Sequence, residues 1–279
     1  MQHWKREDLQ IGDSKSKIPF WTVPVFREYG FFAGFTTRWG GVSDGNYQEL
    51  NLGLSTGDQG KNVWRNRETV LAAVPADVPS KIQLIRQVHG ADVIEVQKPS
   101  GDMMQPGWWI GPEADGQITR SKLTLGMLYA DCLPVYIIDP VSGGVALGHA
   151  GWRSLTAGVI ENLFSLMYQL WSTLPSNCLA ALGPSIERSA YQVDAPVVNA
   201  LSEWAQWWRH VTYPSDMGKV MLDMDKAAYY CLTHLGVPGD SIFVHPKGTF
   251  FSDDFYSHRR DGTKTGRCMA LLVSLNSSA

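Results

Sequence analysis

The stretch Leu125 to Arg153, LGMLYADCLPVYIIDPVSGGVALGHAGWR, constrains this chain more than any other. Two apolar runs flank Asp139-Pro140-Val141-Ser142-Gly143-Gly144, a cluster of turn residues, so the segment reads as a β-hairpin. Loop length sets hairpin register, and here it makes opposed residue numbers sum to roughly 281–283. Cys132 then falls opposite His149 or within a residue or two of it. A free Cys often packs as a small core residue. A thiol and an imidazole at one end of a buried hairpin are alternatively two metal ligands, or a nucleophile and its base. Asp131, Pro134, Gly148, Gly151 and Arg153 make the setting polar and backbone-irregular, which suits a site.

Around this hairpin the chain mixes strands and helices. Residues 18–36 suit two short strands, and Asp58 to Val74 carries an amphipathic helix that ends before Pro75. Ile82 to Val96 reads as two strands joined at His89-Gly90-Ala91-Asp92, with His89 at a strand end. Residues 98–112, KPSGDMMQPGWWIGP, read as a Pro/Gly-rich loop able to act as a flap. Glu113-Ala114-Asp115-Gly116 leads into a strand at Gln117–Thr119. After Arg153 helical spacing sets in (Val159, Ile160, Leu163, Phe164, Met167, Leu170, Trp171), with the helix N-terminus placed directly after His149 and Arg153. Further helices follow Asp194 and Asp223 or Asp225, a strand covers Ile242–His245, and a basic loop (His258, Arg259, Arg260, Lys264, Arg267) precedes the last strand. No regular βαβ rhythm emerges, so the expected fold class is α+β, one domain with sheets layered against helices. The expected division is a polar N-terminal extension over 1–17, frayed at its tip, and a single catalytic domain over 18–279.

Length and charge narrow the function. The 279 residues carry a formal net charge of −3, so no general field attracts nucleic acid, and any anion site is local. No apolar run is long enough to span a bilayer and no signal segment is recognisable. Four Cys (132, 178, 231, 268) without a CxxC suggest a reducing, cytoplasmic setting. The eleven Trp, clustered at Trp108-Trp109 and at Trp204, Trp207 and Trp208, are packing or a partner surface, which leaves a homodimer open.

Two constellations carry chemistry. His89, Cys132 and His149 could supply three ligands around an open metal position, as catalytic zinc requires; the metal-free alternative makes Cys132 a nucleophile and His149 its base. Arg38, Arg153 and the Arg259/Arg260 pair, each beside a glycine or a turn, suggest a phosphate-like anion, because guanidinium forks bind it bidentately. No GxGxxG opens a helix, and no P-loop or GxSxG elbow is present.

TTRWGGVS (36–43), NLG (51–53), QVHGADV (87–93), EADGQIT (113–119), ADCLPV (130–135), GHAGWR (148–153), LGPSI (182–186) and YSHRRDGTKTGR (256–267) occur in that order. Together they closely resemble the YfiH/YlmD-type proteins, bacterial purine nucleoside phosphorylases also described as peptidoglycan editing factor and as multicopper polyphenol oxidase. The resemblance implies a layered α/β/β/α-like sandwich with mixed sheets, related to deamidating toxins and cysteine hydrolases. It implies zinc held by His89, Cys132 and His149, and Arg38, Arg153, Arg259 and Arg260 as phosphate and substrate residues. It also implies phosphorolysis of adenosine, inosine and methylthioadenosine to base and ribose-1-phosphate, with adenosine deamination as a companion activity. Asp131, Glu113 and Asp115 are the candidates to protonate a leaving group, with Cys132, His149 and Asp131 forming the expected catalytic set. The sequence departs from the family at Val244-His245-Pro246 and in the longer FFSDDFYSHRR, which weakens the placement of Arg259 and Arg260. The rival readings are a metal-free cysteine hydrolase or deamidase acting on cell-wall precursors, and a copper-dependent oxidase, since copper could occupy the same ligands.

Overall fold

The computed structural model describes residues 3–216 and 219–276. Its hairpin is the one expected, with Leu133–Asp139 (β10) and Gly144–Ala150 (β11) antiparallel, Pro134 opposite His149 and Asp139 opposite Gly144. Alternation along β10 decides the layering. Leu133, Val135 and Ile137 face one apolar cluster, while Tyr136 and Ile138 face another, so the strand is buried on both sides.

Strands and helices are numbered in chain order. The eight-stranded sheet runs, in spatial order, Lys5–Gln10 (β1), Lys17–Thr22 (β2), Phe31–Thr36 (β3), Cys268–Ser274 (β17), Thr124–Tyr129 (β9), Ile82–Arg86 (β4), Trp108–Glu113 (β7) and Asp102–Gln105 (β6). The six-stranded sheet runs Ile242–Val244 (β16), Leu179–Leu182 (β12), β10, β11, Gly116–Thr119 (β8) and Val93–Glu95 (β5). Both sheets are mixed: β4 lies parallel to β7 and β9, β12 to β16, and β5 to β8, and the other pairs are antiparallel. A small third sheet joins Gln192–Val193 (β13), Val220–Leu222 (β15) and Thr212–Pro214 (β14). The helices are Pro24–Glu28 (α1), Gly60–Ala73 (α2), Trp152–Thr156 (α3), Val159–Trp171 (α4), Ala195–Trp204 (α5), Met224–Leu235 (α6) and His258–Asp261 (α7).

Three cores follow the sheet faces. Met127, Tyr136, Ile138, Leu147 and Leu272 fill the space between the two large sheets. Leu163, Met167, Leu201, Ala228 and Leu232 cover the outer face of the six-stranded sheet with α4, α5 and α6. Val70 and Ala73 of α2 pack with Leu84, Leu271 and Val273 on the outer face of the eight-stranded sheet. The result is a mixed α+β single domain in the order helix, sheet, sheet, helix.

Three local expectations change. The 98–112 segment is not a flap: β6 and β7 form an edge hairpin, because Trp108 is fully buried beside the Arg67 guanidinium and Gly107 turns the chain at φ +87°. The helix after Arg153 is two helices, since Gly158 at φ +90° ends one and starts the other. In the polar N-terminal stretch β1 pairs with β2, and Trp4 is fully buried, its indole N–H donating to the Phe243 carbonyl at 3.0 Å; the tip expected to fray, residues 1–2, lies outside the described residues. No described helix is long and apolar enough to cross a membrane, and all four cysteines are free thiols.

Candidate metal centre

The centre forms where the chain passes from one large sheet to the other. It crosses from β4 to β5 through His89, from β7 to β8 through Asp115, and from β9 to β10 through Asp131 and Cys132. His149 joins them from the end of β11. One ligand atom from each of His89, Cys132 and His149 lies within 4.8 Å of the others, and no other such group of three or more occurs among the described residues. The two imidazole centroids are 4.8 Å apart.

Asp115 fixes both histidines. Its carboxylate, fully buried, accepts the His149 Nδ1 hydrogen bond at 2.7 Å and the backbone N–H groups of Val88 (3.1 Å), His89 (3.1 Å) and Gly90 (2.6 Å). Three consecutive N–H groups wrapped around one carboxylate hold His89 at φ +60°, a conformation an ordinary side chain seldom adopts. The same bond leaves His149 Nε2 as the ring nitrogen available to the cluster, the carboxylate–histidine arrangement common behind metal ligands. Burial works against the Asp115 charge, but the His149 interaction and the backbone donors bring its carboxyl below the usual range. Burial also opposes ionisation of Cys132; the charge and hydrogen bonding of His149, then of His89, outweigh it and bring the thiol down to about 6. His149 moves the other way, to about 9, as the Cys132 and Asp115 charges overcome its burial.

Gly151 closes against the cluster. A Cβ there would lie 3.0 Å from Cys132 Sγ and 3.1 Å from His89 Nδ1. A thiolate, two imidazoles, a carboxylate behind one of them and a neighbour without a side chain fit a zinc- or copper-class ion. The same Asp115–His149–Cys132 sequence of contacts also matches the orienter, base and nucleophile of a thiol enzyme.

The centre opens into a cleft of about 760 Å³. Ile85, Ile110 and Leu128 give it an apolar wall, and Tyr191, Ile186 and Met224 are contributed from the six-stranded side and its helices. Of the expected phosphate residues, Arg153 and Arg259 line this cleft, stacked over Trp152 and Tyr191 with guanidinium-to-ring distances of 4.3 and 5.0 Å. Arg38 and Arg260 do not line it. Arg38 packs over Tyr256 and donates from Nε to the Gln48 carbonyl. Arg260 donates to the carbonyls of Thr249, Phe250, Ser252 and Phe255 and pairs with Asp261. Asp131, at φ +87°, lines the cleft with both carboxylate oxygens engaged, by the Thr249 hydroxyl and by the Arg259 backbone N–H at 2.6 Å. Glu113 is exposed at the end of β7, and Asp115 is committed to His149. Arg267, Tyr191 and Ser55 also line the cleft, and chain order gives no sign of it because each arrives from a distant loop.

The sequence model of the family described as multi-copper polyphenol oxidoreductase laccase matches residues 32–275. The chain belongs to this family. Within it, the chain is 36% identical over 255 residues to the purine nucleoside phosphorylase YlmD of Geobacillus stearothermophilus, covering 87% of this chain and 90% of that protein. It is 33% identical over 261 residues to the purine nucleoside phosphorylase YfiH of Escherichia coli, covering 93% and 98%. Among solved structures, a hypothetical protein YfiH of Bacillus licheniformis superposes with a TM-score of 0.84 at 28% identity, over 95% of this chain and 98% of that one. YlmD of G. stearothermophilus superposes with a TM-score of 0.81 at 30% identity, over 96% and 99%. The motifs that marked the YfiH/YlmD-type resemblance include His89, Asp115, Asp131, Cys132, His149, Arg153, Arg259 and Arg267, while Ile85, Ile110, Leu128 and Tyr191 of the cleft lie outside them.

Proposed function

We propose that this member of the family is a zinc-dependent purine nucleoside phosphorylase that also deaminates adenosine. The observation that carries the reading is the His89–Cys132–His149 cluster at the base of a cleft lined by Arg153, Arg259 and Arg267, guanidinium groups without a carboxylate partner among the described residues. Relatives named purine nucleoside phosphorylase support purine nucleosides and inorganic phosphate as the substrate class; within that class the proposed substrates are adenosine, inosine and methylthioadenosine. In phosphorolysis a phosphate oxygen bonds to C1′ as the C1′–N9 bond breaks, and the base leaves with the electron pair and takes up a proton. His89, Cys132 and His149 would hold the metal, which when bound would supply Lewis acidity.

The chain's own residues do the remaining work. Asp115 keeps the His149 proton on Nδ1 and holds the His89 loop, so both rings are set before substrate arrives. Ile85, Ile110 and Leu128 offer an apolar wall to a purine, and Tyr191 a second flat surface. Asp131 acts as a positioning residue, tying the Cys132 crossover to Thr249 and to the backbone of Arg259.

The experiment is metal analysis of protein purified without metal affinity, with base release from inosine and adenosine measured with and without phosphate. Near-stoichiometric zinc and phosphate-dependent base release, both lost in Cys132→Ala, support the reading. A second reading has its own observation: the Asp115–His149–Cys132 relay, with its lowered thiol, suits a metal-free cysteine hydrolase. Activity that survives chelation and is abolished by thiol alkylation selects it. Phenol oxidation that depends on added copper selects the oxidase instead.

A further inference from the structure

The NLG (51–53) and TKTGR (263–267) motifs have no part in the metal cluster, yet they are bonded to each other at Arg267, which lines the cleft. Arg267 is anchored there on both sides of its peptide. Its N–H donates to Asn51 Oδ1 at 2.9 Å and its carbonyl accepts from the Leu52 N–H at 3.1 Å. Asn51 is itself held, donating to Thr56 Oγ1 at 3.0 Å and Asp58 Oδ2 at 2.9 Å, while its carbonyl accepts from the Asn66 amide at 2.9 Å. Gly53 lies against the Arg267 stem, where a Cβ would come 2.8 Å from Arg267 Cγ. A network this extensive behind one cationic side chain on a cleft wall fixes where its charge sits.

The side chain is built to present one edge. Nη1 is spent on the carbonyls of Thr265 and Gly266, at 2.9 and 2.8 Å. Nε and Nη2 have no hydrogen-bond partner among the described residues, and this edge is the one that grips an oxyanion through two parallel bonds. The charge count of the cleft agrees. Arg153, Arg259 and Arg267 line it, and none has a carboxylate within ion-pairing distance of its guanidinium among the described residues. Arg86 also lines the cleft but is paired with Asp102, and Arg260, which does not line it, is paired with Asp261. The Asp131 carboxylate is held by Thr249 and the Arg259 backbone N–H, and its single negative charge, which acts on Arg267, leaves the three guanidinium groups in excess.

We propose that Arg267, together with Arg153 and Arg259, forms the subsite for the inorganic phosphate co-substrate, with the Asn51–Gly53 loop as its mount. This rests on the phosphorolysis reading, deepens it, and moves the phosphate role away from Arg38 and Arg260. Burial pulls the Arg267 guanidinium below its usual range, a cost that a bound oxyanion offsets.

The test titrates inorganic phosphate calorimetrically into metal-loaded full-length protein and measures the KM for phosphate at saturating inosine. Arg267→Gln is expected to weaken phosphate about tenfold or more, and Arg267→Lys by less, with metal content and the KM for inosine held. Gly53→Ala, which displaces the Arg267 stem without altering any charge, is expected to act in the same direction. Melting temperatures show which variants are folded, and Arg267→Lys, which keeps stem and charge, carries the test if the glutamine variant does not fold. Unchanged phosphate affinity in the folded variants, with base release still dependent on phosphate, overturns the subsite and leaves phosphorolysis standing. Wild-type base release that ignores phosphate overturns both.

Discussion

Asp115→Asn tests how the metal centre is held, because it changes one atom type and little volume. One carboxylate oxygen accepts from His149 Nδ1 and the His89 N–H; the other accepts from the Val88 and Gly90 N–H groups. An asparagine must turn its NH₂ toward one of these pairs. Facing Val88 and Gly90 it meets two backbone donors that cannot change, one of them at 2.6 Å. Facing His149 it meets one fixed donor and one imidazole that can give up its Nδ1 proton, so this orientation wins. His149 then carries its proton on Nε2, the nitrogen needed by the cluster. Loss of an outer partner of this kind costs about 10- to 100-fold in metal affinity, which is about 1.4–2.7 kcal/mol. The assay is zinc competition against a chromophoric chelator at fixed pH, with melting temperature of the apo protein recorded alongside. The expected result is zinc affinity down by that factor, with Asp115→Ala no better. An Asp115→Asn protein that folds and binds zinc as tightly as wild type would refute the tautomer argument.

Gly151→Ala should lose zinc affinity while keeping most of its apo stability, since the added methyl group meets Cys132 Sγ and His89 Nδ1; the same competition assay reads it. Metal removal should lower the melting temperature, because the ligands come from crossovers that join both sheets; at roughly a thousand times Kd, binding contributes about 4 kcal/mol. Addition of a chelator during a thermal scan checks this, and an unchanged midpoint contradicts it. His245 is held neutral by burial among Trp4, Trp21 and Phe255, which brings it from 6.5 to about 4. The unfolded chain therefore binds the extra proton first, so stability is full above pH 6.5 and falls by about 3 kcal/mol as pH drops through 4. Denaturant unfolding between pH 4 and 7 should show a flatter profile for His245→Gln, and equal slopes count against the assignment. Arg260→Ala should cost about 2 kcal/mol by freeing carbonyls of the 249–255 loop, read by urea unfolding, with metal content unchanged.

What was legible in the sequence was local. The hairpin register follows from its turn, so the proximity of Cys132 and His149 could be read off residue numbers, and Pro134 opposite His149 gives a sum inside the expected range. The helices over 60–73 and 224–235 follow from periodicity and caps, with the Asp223 side chain accepting from the Lys226 N–H. Sorting the arginines was beyond this kind of reading. Arg259 and Arg260 are adjacent, and one lines the cleft while the other is consumed by carbonyls of its own loop. Arg267 reaches the cleft through a bond to Asn51, more than two hundred residues earlier. The hairpin at 102–113 was obscured by its Pro and Gly content, because the signal that fixes it, Trp108 buried beside Arg67, is a tertiary contact.

One topological fact explains why the site's key residues lie in short, scattered motifs. Strands β9, β4 and β7 are neighbours in one sheet, and β10, β11, β8 and β5 are neighbours in the other. Each time the chain leaves the first set for the second, it makes a short crossover at the same edge of the sandwich, so three crossovers lie side by side. Short crossovers force unusual backbone, and His89 and Asp131 both sit at positive φ. Such conformations persist only where surrounding bonds over-determine them. Asp115 does this for His89, and Thr249 with the Arg259 N–H does it for Asp131. The polar groups that hold the strain are thus the ones that aim the ligands, which is why a change at Asp115 is expected to reach the metal before it reaches the fold.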